Sequence, residues 1–108
     1  MGFFDSLKRN TEIIKAETDI QNISVQINAI RRSFENYMCV KKEIVQNILD
    51  LVNETHRILN AEMLRELDNN TLYTCSMYPN LTSEVSLLEA YRAELKYILE
   101  TKFPKENT

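Results

Sequence analysis

The chain has 108 residues, of which 44% are hydrophobic and 27% are charged, and its formal net charge is −3. One Gly and two Pro are too few for the many tight turns of all-β or doubly wound folds, so we expect an all-α fold. The apolar fraction argues against wholesale disorder, and the acidic balance disfavours non-specific binding to nucleic acid.

The sequence shows no targeting or membrane-spanning segment. No run of 18 apolar residues is present, and no basic segment is followed by the apolar stretch of a secretory signal. Two cysteines, Cys39 and Cys75, are too few for a disulfide scaffold and are interpreted as inert, reduced thiols. These features predict a cytoplasmic protein.

A small apolar group with basic neighbours stands near the beginning of the chain. Phe3, Phe4 and Leu7 would lie on one side of a helical turn, and Lys8 and Arg9 follow them. One interpretation is that the three apolar side chains pack onto the body of a helical bundle. The other is a contact with a membrane surface, because aromatic and basic side chains suit the headgroup boundary.

A long first helix is predicted over residues 5–37. Its apolar residues recur at alternating steps of three and four, which is the spacing of one helix face. We name this face the first-helix seam, and its members are Ile20, Ile23, Ile27, Ile30, Phe34 and Tyr37. An isolated helix of this kind is marginally stable. Because the seam is long relative to the last helix, we predict that it forms an interface with another chain.

Residues 36–42 leave two alternatives open. A compact bundle needs a turn here, with Asn36 as a left-handed C-cap. The absence of Gly and Pro from residues 13–67 equally allows one continuous helix. This part of the chain is also the most basic, and its local patch could meet phosphates or an acidic partner, or simply face water. The patch comprises Arg31, Arg32, Lys41 and Lys42.

A second helix is predicted over residues 42–69. Adjacent apolar pairs such as 44/45, 51/52 and 58/59 make its apolar stripe broad enough to touch two neighbours, as in a bundle of three or four helices. Glu62 and Glu66 stand four residues apart and are interpreted as facing water. Asn69 and Asn70 end the helix, since Asn accepts left-handed geometry.

The connection over residues 70–81 is unusually apolar for a loop. It either packs on the bundle or presents a recognition surface formed by Tyr73, Met77 and Tyr78. A third helix is predicted over residues 82–102, capped by Thr82 or Ser83. The short link predicts that the second and third helices form an antiparallel hairpin.

No catalytic or cofactor motif is present. The only Gly is Gly2, which excludes a glycine-rich phosphate loop, and the single His has no companion at metal-ligand spacing. We therefore expect no enzyme activity, no cofactor and no metal.

The sequence as a whole predicts one helical domain over residues 1–108. Its expected form is an antiparallel helical hairpin or three-helix bundle with a long first helix, completed by oligomerisation. The leading hypothesis is a coiled-coil-like module that binds itself or a helical protein partner. Peripheral membrane association and nucleic-acid binding through the basic patch are the alternatives. The opening Met1–Asp5 and the Asn-, Ile- and Lys-rich composition look like those of small bacterial or phage accessory proteins.

Overall fold

In the part of the chain that the structure describes, three α-helices pack together. The structure, a computed structural model, describes residues 2–70 and 77–103. The helices are α1 (Phe3–Glu35), α2 (Lys42–Asp68) and α3 (Leu81–Thr101). Each boundary lies within two residues of its predicted position, and the predicted all-α three-helix bundle is confirmed.

Helix α2 is the central element of the bundle. It packs closely against both α1 and α3, whereas α1 and α3 approach each other less closely. Contacts between the helices show that α1 and α3 run parallel and that α2 runs against both. The molecule is elongated, with dimensions of 50 × 27 × 20 Å.

A seven-residue repeat in α1 supplies much of the core. Ile13, Ile20 and Ile27 recur at this spacing, and every buried member of α1 is at most 6% exposed. Such a repeat stays in contact with a neighbouring helix when the two wind gently around each other. The other two helices complete one continuous core with Val45, Ile48, Leu49, Val52, Leu59, Leu81, Val85, Leu88, Leu95 and Ile98.

The segment between α1 and α2 is a turn rather than a continuation of the helix. Tyr37 N–H donates to the Phe34 carbonyl at 3.1 Å, and Met38 N–H donates to the Ser33 carbonyl at 2.8 Å. This is the Schellman pattern, which needs a left-handed residue just after the helix. The prediction that Asn36 takes that conformation is wrong, because its φ is −97° and Tyr37 takes φ 57° instead.

Polar contacts join α1 to α3 at regular intervals. Ser24 Oγ lies 2.9 Å from the Tyr91 hydroxyl. Seven residues further along α1, Arg31 donates two hydrogen bonds to Glu94, from Nε at 2.8 Å and from Nη2 at 2.6 Å. These pairs fix the parallel register of the two helices.

Candidate interaction surface

The predicted interface seam lies in the core of this chain. Four of its members, Ile20, Ile23, Ile27 and Ile30, are at most 6% exposed, and Phe34 packs against the same core. The expectation that the seam overhangs the last helix is therefore wrong, because α2 covers it along its length. Tyr37 lies beyond the end of α1 and is 97% exposed. A surface for another chain must consequently be sought elsewhere.

A groove opens beside the turn between α1 and α2. Its volume is about 380 Å³. Apolar side chains form most of its wall, and its lining is Gln26, Ala29, Ile30, Ser33, Cys39, Val40, Lys41, Ile44 and Ile48. Two smaller hollows, of about 220 and 160 Å³, lie between α1 and α2 further from the turn.

These three hollows follow one edge of the α1–α2 pair. The α2 wall carries Ile44, Leu51 and Ile58, which are spaced by seven residues and therefore lie on one face. The facing wall carries the α1 residues Glu12, Asp19, Gln26 and Ser33, also spaced by seven residues. We name this feature the α1–α2 groove.

The groove explains three of the four adjacent apolar pairs of α2, whereas both residues of the pair 48/49 are buried. In the pairs 44/45, 51/52 and 58/59, the second residue (Val45, Val52 or Leu59) is 0% exposed and belongs to the core. The first residue of each pair lines the groove, and Leu51 and Ile58 also pack against the core. Ile44 is 47% exposed, and Leu51 and Ile58 are half-buried. One edge of the broad apolar stripe of α2 therefore packs in the core, and the other edge borders the groove.

Tyr37 stands at the turn end of this groove in a strained conformation. A left-handed backbone costs roughly 1–2 kcal/mol for a residue other than Gly. The side chain is almost fully solvent-exposed, and the next residue, Met38, is 61% exposed. Strain at an exposed aromatic residue suggests a role outside the folded core.

Replacing Tyr37 by Gly should stabilise the folded chain. We expect the free energy of unfolding to rise by about 0.5–1 kcal/mol, because Gly removes the left-handed strain and few side-chain contacts are lost. Urea denaturation followed by circular dichroism measures the change. Asn36→Gly, where φ is −97°, is the control and should not stabilise. Destabilisation by Tyr37→Gly would show that the tyrosine ring is held by contacts in the fold.

The aromatic pair at the start of α1 faces outward. Phe3 and Phe4 are 75% and 80% exposed, and their rings meet edge to face with centroids 5.7 Å apart. Arg9 pairs with Glu62 at 3.6 Å, so Phe3 lies level with the last turn of α2, where little helix remains to cover it. The interpretation that Phe3, Phe4 and Leu7 pack onto the bundle is wrong. Leu7 is 51% exposed as well.

The three residues of the predicted recognition loop do not share one environment. Tyr73 lies outside the described residues. Met77 is 75% exposed, whereas the half-buried Tyr78 donates its hydroxyl hydrogen to Asn10 Oδ1 at 3.1 Å. Burial raises the pKa of Tyr78 above its ordinary value. Tyr78 thus packs on the bundle, and Met77 alone of the two described members faces solvent.

Two carboxylates interpreted as facing water are buried. Glu62 is 3% exposed and Glu66 is 4% exposed, so that interpretation is wrong. Glu62 accepts a hydrogen bond from Arg65 Nε at 3.1 Å, and this bond raises the pKa of Arg65. For Glu62 the reason is a long-range contact, since Arg9 on α1 lies 3.6 Å from Glu62 and supplies a second cation.

A second acidic contact joins α1 to α3. Glu84 in the first turn of α3 lies beside Glu17 of α1, and its Oε1 atom is buried without a hydrogen-bond partner in the described part of the chain. Burial, together with this neighbour, raises the pKa of Glu84 from 4.5 to about 7. Glu84 therefore holds its proton to a higher pH in the folded chain than an exposed carboxyl group does.

The basic patch is only partly available to a ligand. Arg31 is held by Glu94, a hydrogen-bonded pair that raises the pKa of Arg31 and lowers the pKa of Glu94. Arg32, Lys41 and Lys42 are exposed and form no ion pair within the described residues. The free positive charge is concentrated beside the turn.

Residues 2–70 and 77–103 support neither a metal site nor a membrane-spanning helix. No group of three or more His, Cys, Asp or Glu side chains could hold a metal ion there. Within the same ranges, none of the helices has the length and hydropathy needed to cross a membrane. Comparison with protein-family models, curated proteins and solved structures found no match to this chain.

Proposed function

We propose that this chain is a non-enzymatic helical module that binds another helical protein surface along the α1–α2 groove. The observation that carries the proposal is the seven-residue spacing of Ile44, Leu51 and Ile58 beside a groove that the described chain leaves open. Helices recognise each other through such repeats, by placing side chains into the spaces between those of a partner. A cytoplasmic location is part of the proposal, because reduced thiols are normal there.

Side chains around the groove support this function. Ile44 and Met38 expose apolar surface at its turn end, and Tyr37 is held outward despite its backbone strain. Tyrosine and methionine are enriched at the centres of protein interfaces. A partner that covered this end would remove all three side chains from water.

Site-specific photo-cross-linking in the native cells tests the proposal. A benzophenone amino acid at Ile44, which is 47% exposed, should give a discrete covalent product with one protein. The same probe at Val25, which is 64% exposed on α1 outside the groove lining, is the matched control and should give none. Equal products at both positions, or none from Ile44, would refute binding along the groove.

Membrane association is the second candidate, and the exposure of Phe3 and Phe4 specifically favours it. Two aromatic rings at the start of a helix could enter the headgroup region. Flotation with anionic and neutral vesicles tests this candidate, with a double Phe3→Ser, Phe4→Ser variant as the control. Loss of flotation in the variant would support it, and the absence of flotation in both proteins would dispose of it.

Nucleic-acid binding is the least supported of the alternatives. Arg31 is engaged by Glu94, which leaves Arg32, Lys41 and Lys42 close to the acidic residues Glu35 and Glu43. Phosphate binding needs a concentrated positive surface, and affinity then falls steeply with salt. We therefore favour a protein partner for this end of the molecule.

A further inference from the structure

We propose that the start of α3 forms a pH-sensitive contact with α1, which is closed while Glu84 is uncharged and opens when Glu84 becomes charged. The contact lies apart from the α1–α2 groove, because no α3 residue lines that groove. The inference therefore goes beyond the proposed function and does not depend on it. It assigns to the fold a local conformational change that is controlled by the pH of the surroundings.

A row of four polar residues on α1 faces α3 and the segment just before it. The four are spaced by seven residues, so they lie on one side of α1. They and their partners are Asn10 with Tyr78, Glu17 with Glu84, Ser24 with Tyr91, and Arg31 with Glu94. The first, third and fourth pairs are joined by hydrogen bonds, and the fourth also joins opposite charges. Of the four pairs, only that of Glu17 with Glu84 brings two carboxyl groups together.

Glu84 is poorly placed to carry a negative charge. Its side chain is half-buried, and its Oε1 atom has no hydrogen-bond partner within residues 2–70 and 77–103. The first basic residue of α3 is Arg92, which lies more than two helical turns further along. Burial, together with the neighbouring Glu17, raises the pKa of Glu84 to about 7. Loss of the proton therefore leaves a partly desolvated charge with a second carboxyl group beside it.

Other charges at this end of the bundle do not neutralise Glu84. The charged residues that act on the nearby Tyr78 hydroxyl are Glu17, Glu62, Glu66 and Arg9. Of these, only Glu17 contributes to the pKa of Glu84. Arg9 pairs with Glu62 at 3.6 Å instead. Among the described residues, a charged Glu84 is therefore opposed by one carboxyl group and balanced by no cation.

The far half of α3 is held to α1 by contacts that keep their charges above neutral pH. Arg31 donates two hydrogen bonds to Glu94, and this pairing raises the pKa of Arg31 and lowers that of Glu94. The ammonium group of Lys102 lies 5.9 Å from the centre of the Phe34 ring. Opening is therefore expected at the start of α3 and not at its end.

A change in pH alters how often the start of α3 opens. Leu81 and Val85 belong to the core, so most molecules remain closed at every pH. In the open form Glu84 returns to water and to its ordinary pKa of 4.5. A proton held more tightly in the closed form stabilises that form fully below pH 4.5, and this stabilisation is lost as the pH rises through 7. Since Glu84 is only half-buried, we expect the open fraction to rise roughly 5–30-fold between pH 5 and pH 8.

Amide hydrogen exchange measured by nuclear magnetic resonance tests the proposal. A protection factor divides out the intrinsic effect of pH on exchange, so it reports how often each amide opens. The protection factor of the Val85 amide should fall roughly 5–30-fold between pH 5 and pH 8. In Glu84→Gln it should stay constant, because glutamine carries no charge. Glu100→Gln, which changes an exposed residue of the same helix, should behave like the wild type.

The same data show whether the opening is local. At every pH the Val85 amide should be less protected than the Leu95 amide in the far half of α3. Low concentrations of urea should change the exchange of Val85 little, because a local opening exposes little surface.

Two further variants examine the neighbouring groups. Glu17→Gln removes one of the two carboxyl groups and should make the fall at Val85 smaller. Histidine normally loses its proton near this pH range, and His56 lies 3.1 Å from Glu89 on α3. In His56→Gln the fall at Val85 should persist, because it depends on Glu84.

Four results would each overturn the proposal. The first is a Val85 protection factor that does not fall, or that falls equally in Glu84→Gln. The second is an unchanged fall in Glu17→Gln, and the third is loss of the fall in His56→Gln. The fourth is equal protection and equal urea dependence of the Val85 and Leu95 amides, which indicates that α3 opens only when the whole chain unfolds. None of these results bears on binding along the α1–α2 groove, so the two proposals fail separately.

Discussion

Replacing Ile27 by Asp is expected to unfold the bundle. Ile27 is 1% exposed at the centre of the first-helix seam, so the new carboxylate would be buried without a partner. The penalty of such a burial, added to the lost apolar contacts, amounts to several kcal/mol. Total stability of a domain is only about 5–15 kcal/mol. Circular dichroism should show loss of most helical signal at 25 °C.

A matched substitution separates this effect from a general loss of helix propensity. Val25 lies two residues earlier in α1 and is 64% exposed, so Val25→Asp should change the free energy of unfolding by no more than about 0.5 kcal/mol. If Ile27→Asp kept full helicity and only lowered the mass in solution, the seam would be an interface between chains rather than part of the core of one chain.

Replacing Glu84 by Gln is expected to stabilise the protein above neutral pH. The pKa of Glu84 is raised to about 7 in the folded chain from an ordinary 4.5, so the folded state binds its proton more tightly than the unfolded state. Stability from this proton is fully present below pH 4.5 and is lost as the pH rises through 7. Because the side chain is only half-buried and screened by water, we expect a loss of about 1–2 kcal/mol rather than the full linkage value.

Thermal unfolding at several pH values measures this effect. The wild-type melting temperature should fall by roughly 4–16 °C between pH 4.5 and pH 8 relative to Glu84→Gln, which stays neutral throughout. Glu100→Gln, an exposed residue of the same helix, should follow the wild-type profile. Parallel profiles for the wild type and Glu84→Gln would contradict the raised pKa of Glu84.

The sequence predicted the helices well because their limits depend on local chemistry. Asn69 and Asn70 stop α2, and Asn70 takes the left-handed conformation with φ 55°, as its side chain allows. Pro79 precedes α3 closely. The turn after α1 could not be predicted in the same way, because Tyr37, a residue that avoids left-handed geometry, occupies the position normally filled by Gly.

Burial of charge could not be predicted from spacing alone. Glu62 and Glu66 look the same in sequence as any pair of carboxylates on a solvated helix face. The environment of Glu62 is decided by Arg9, which is 53 residues away along the chain and reaches it only in the folded bundle. The groove was missed for a related reason. Ile44, Leu51 and Ile58 are indistinguishable from their buried neighbours until the position of α1 is known.

The parallel course of α1 and α3 determines how the molecule should respond to mechanical tension. Because the helices alternate in direction, residues 3 and 101 lie at opposite ends of the 50 Å long axis. A force that pulls these two residues apart slides α1 and α3 in opposite directions along α2. It thus loads every layer of the core in shear at once, instead of peeling the helices apart turn by turn. We therefore expect the folded chain to resist tension that is applied between residues 3 and 101.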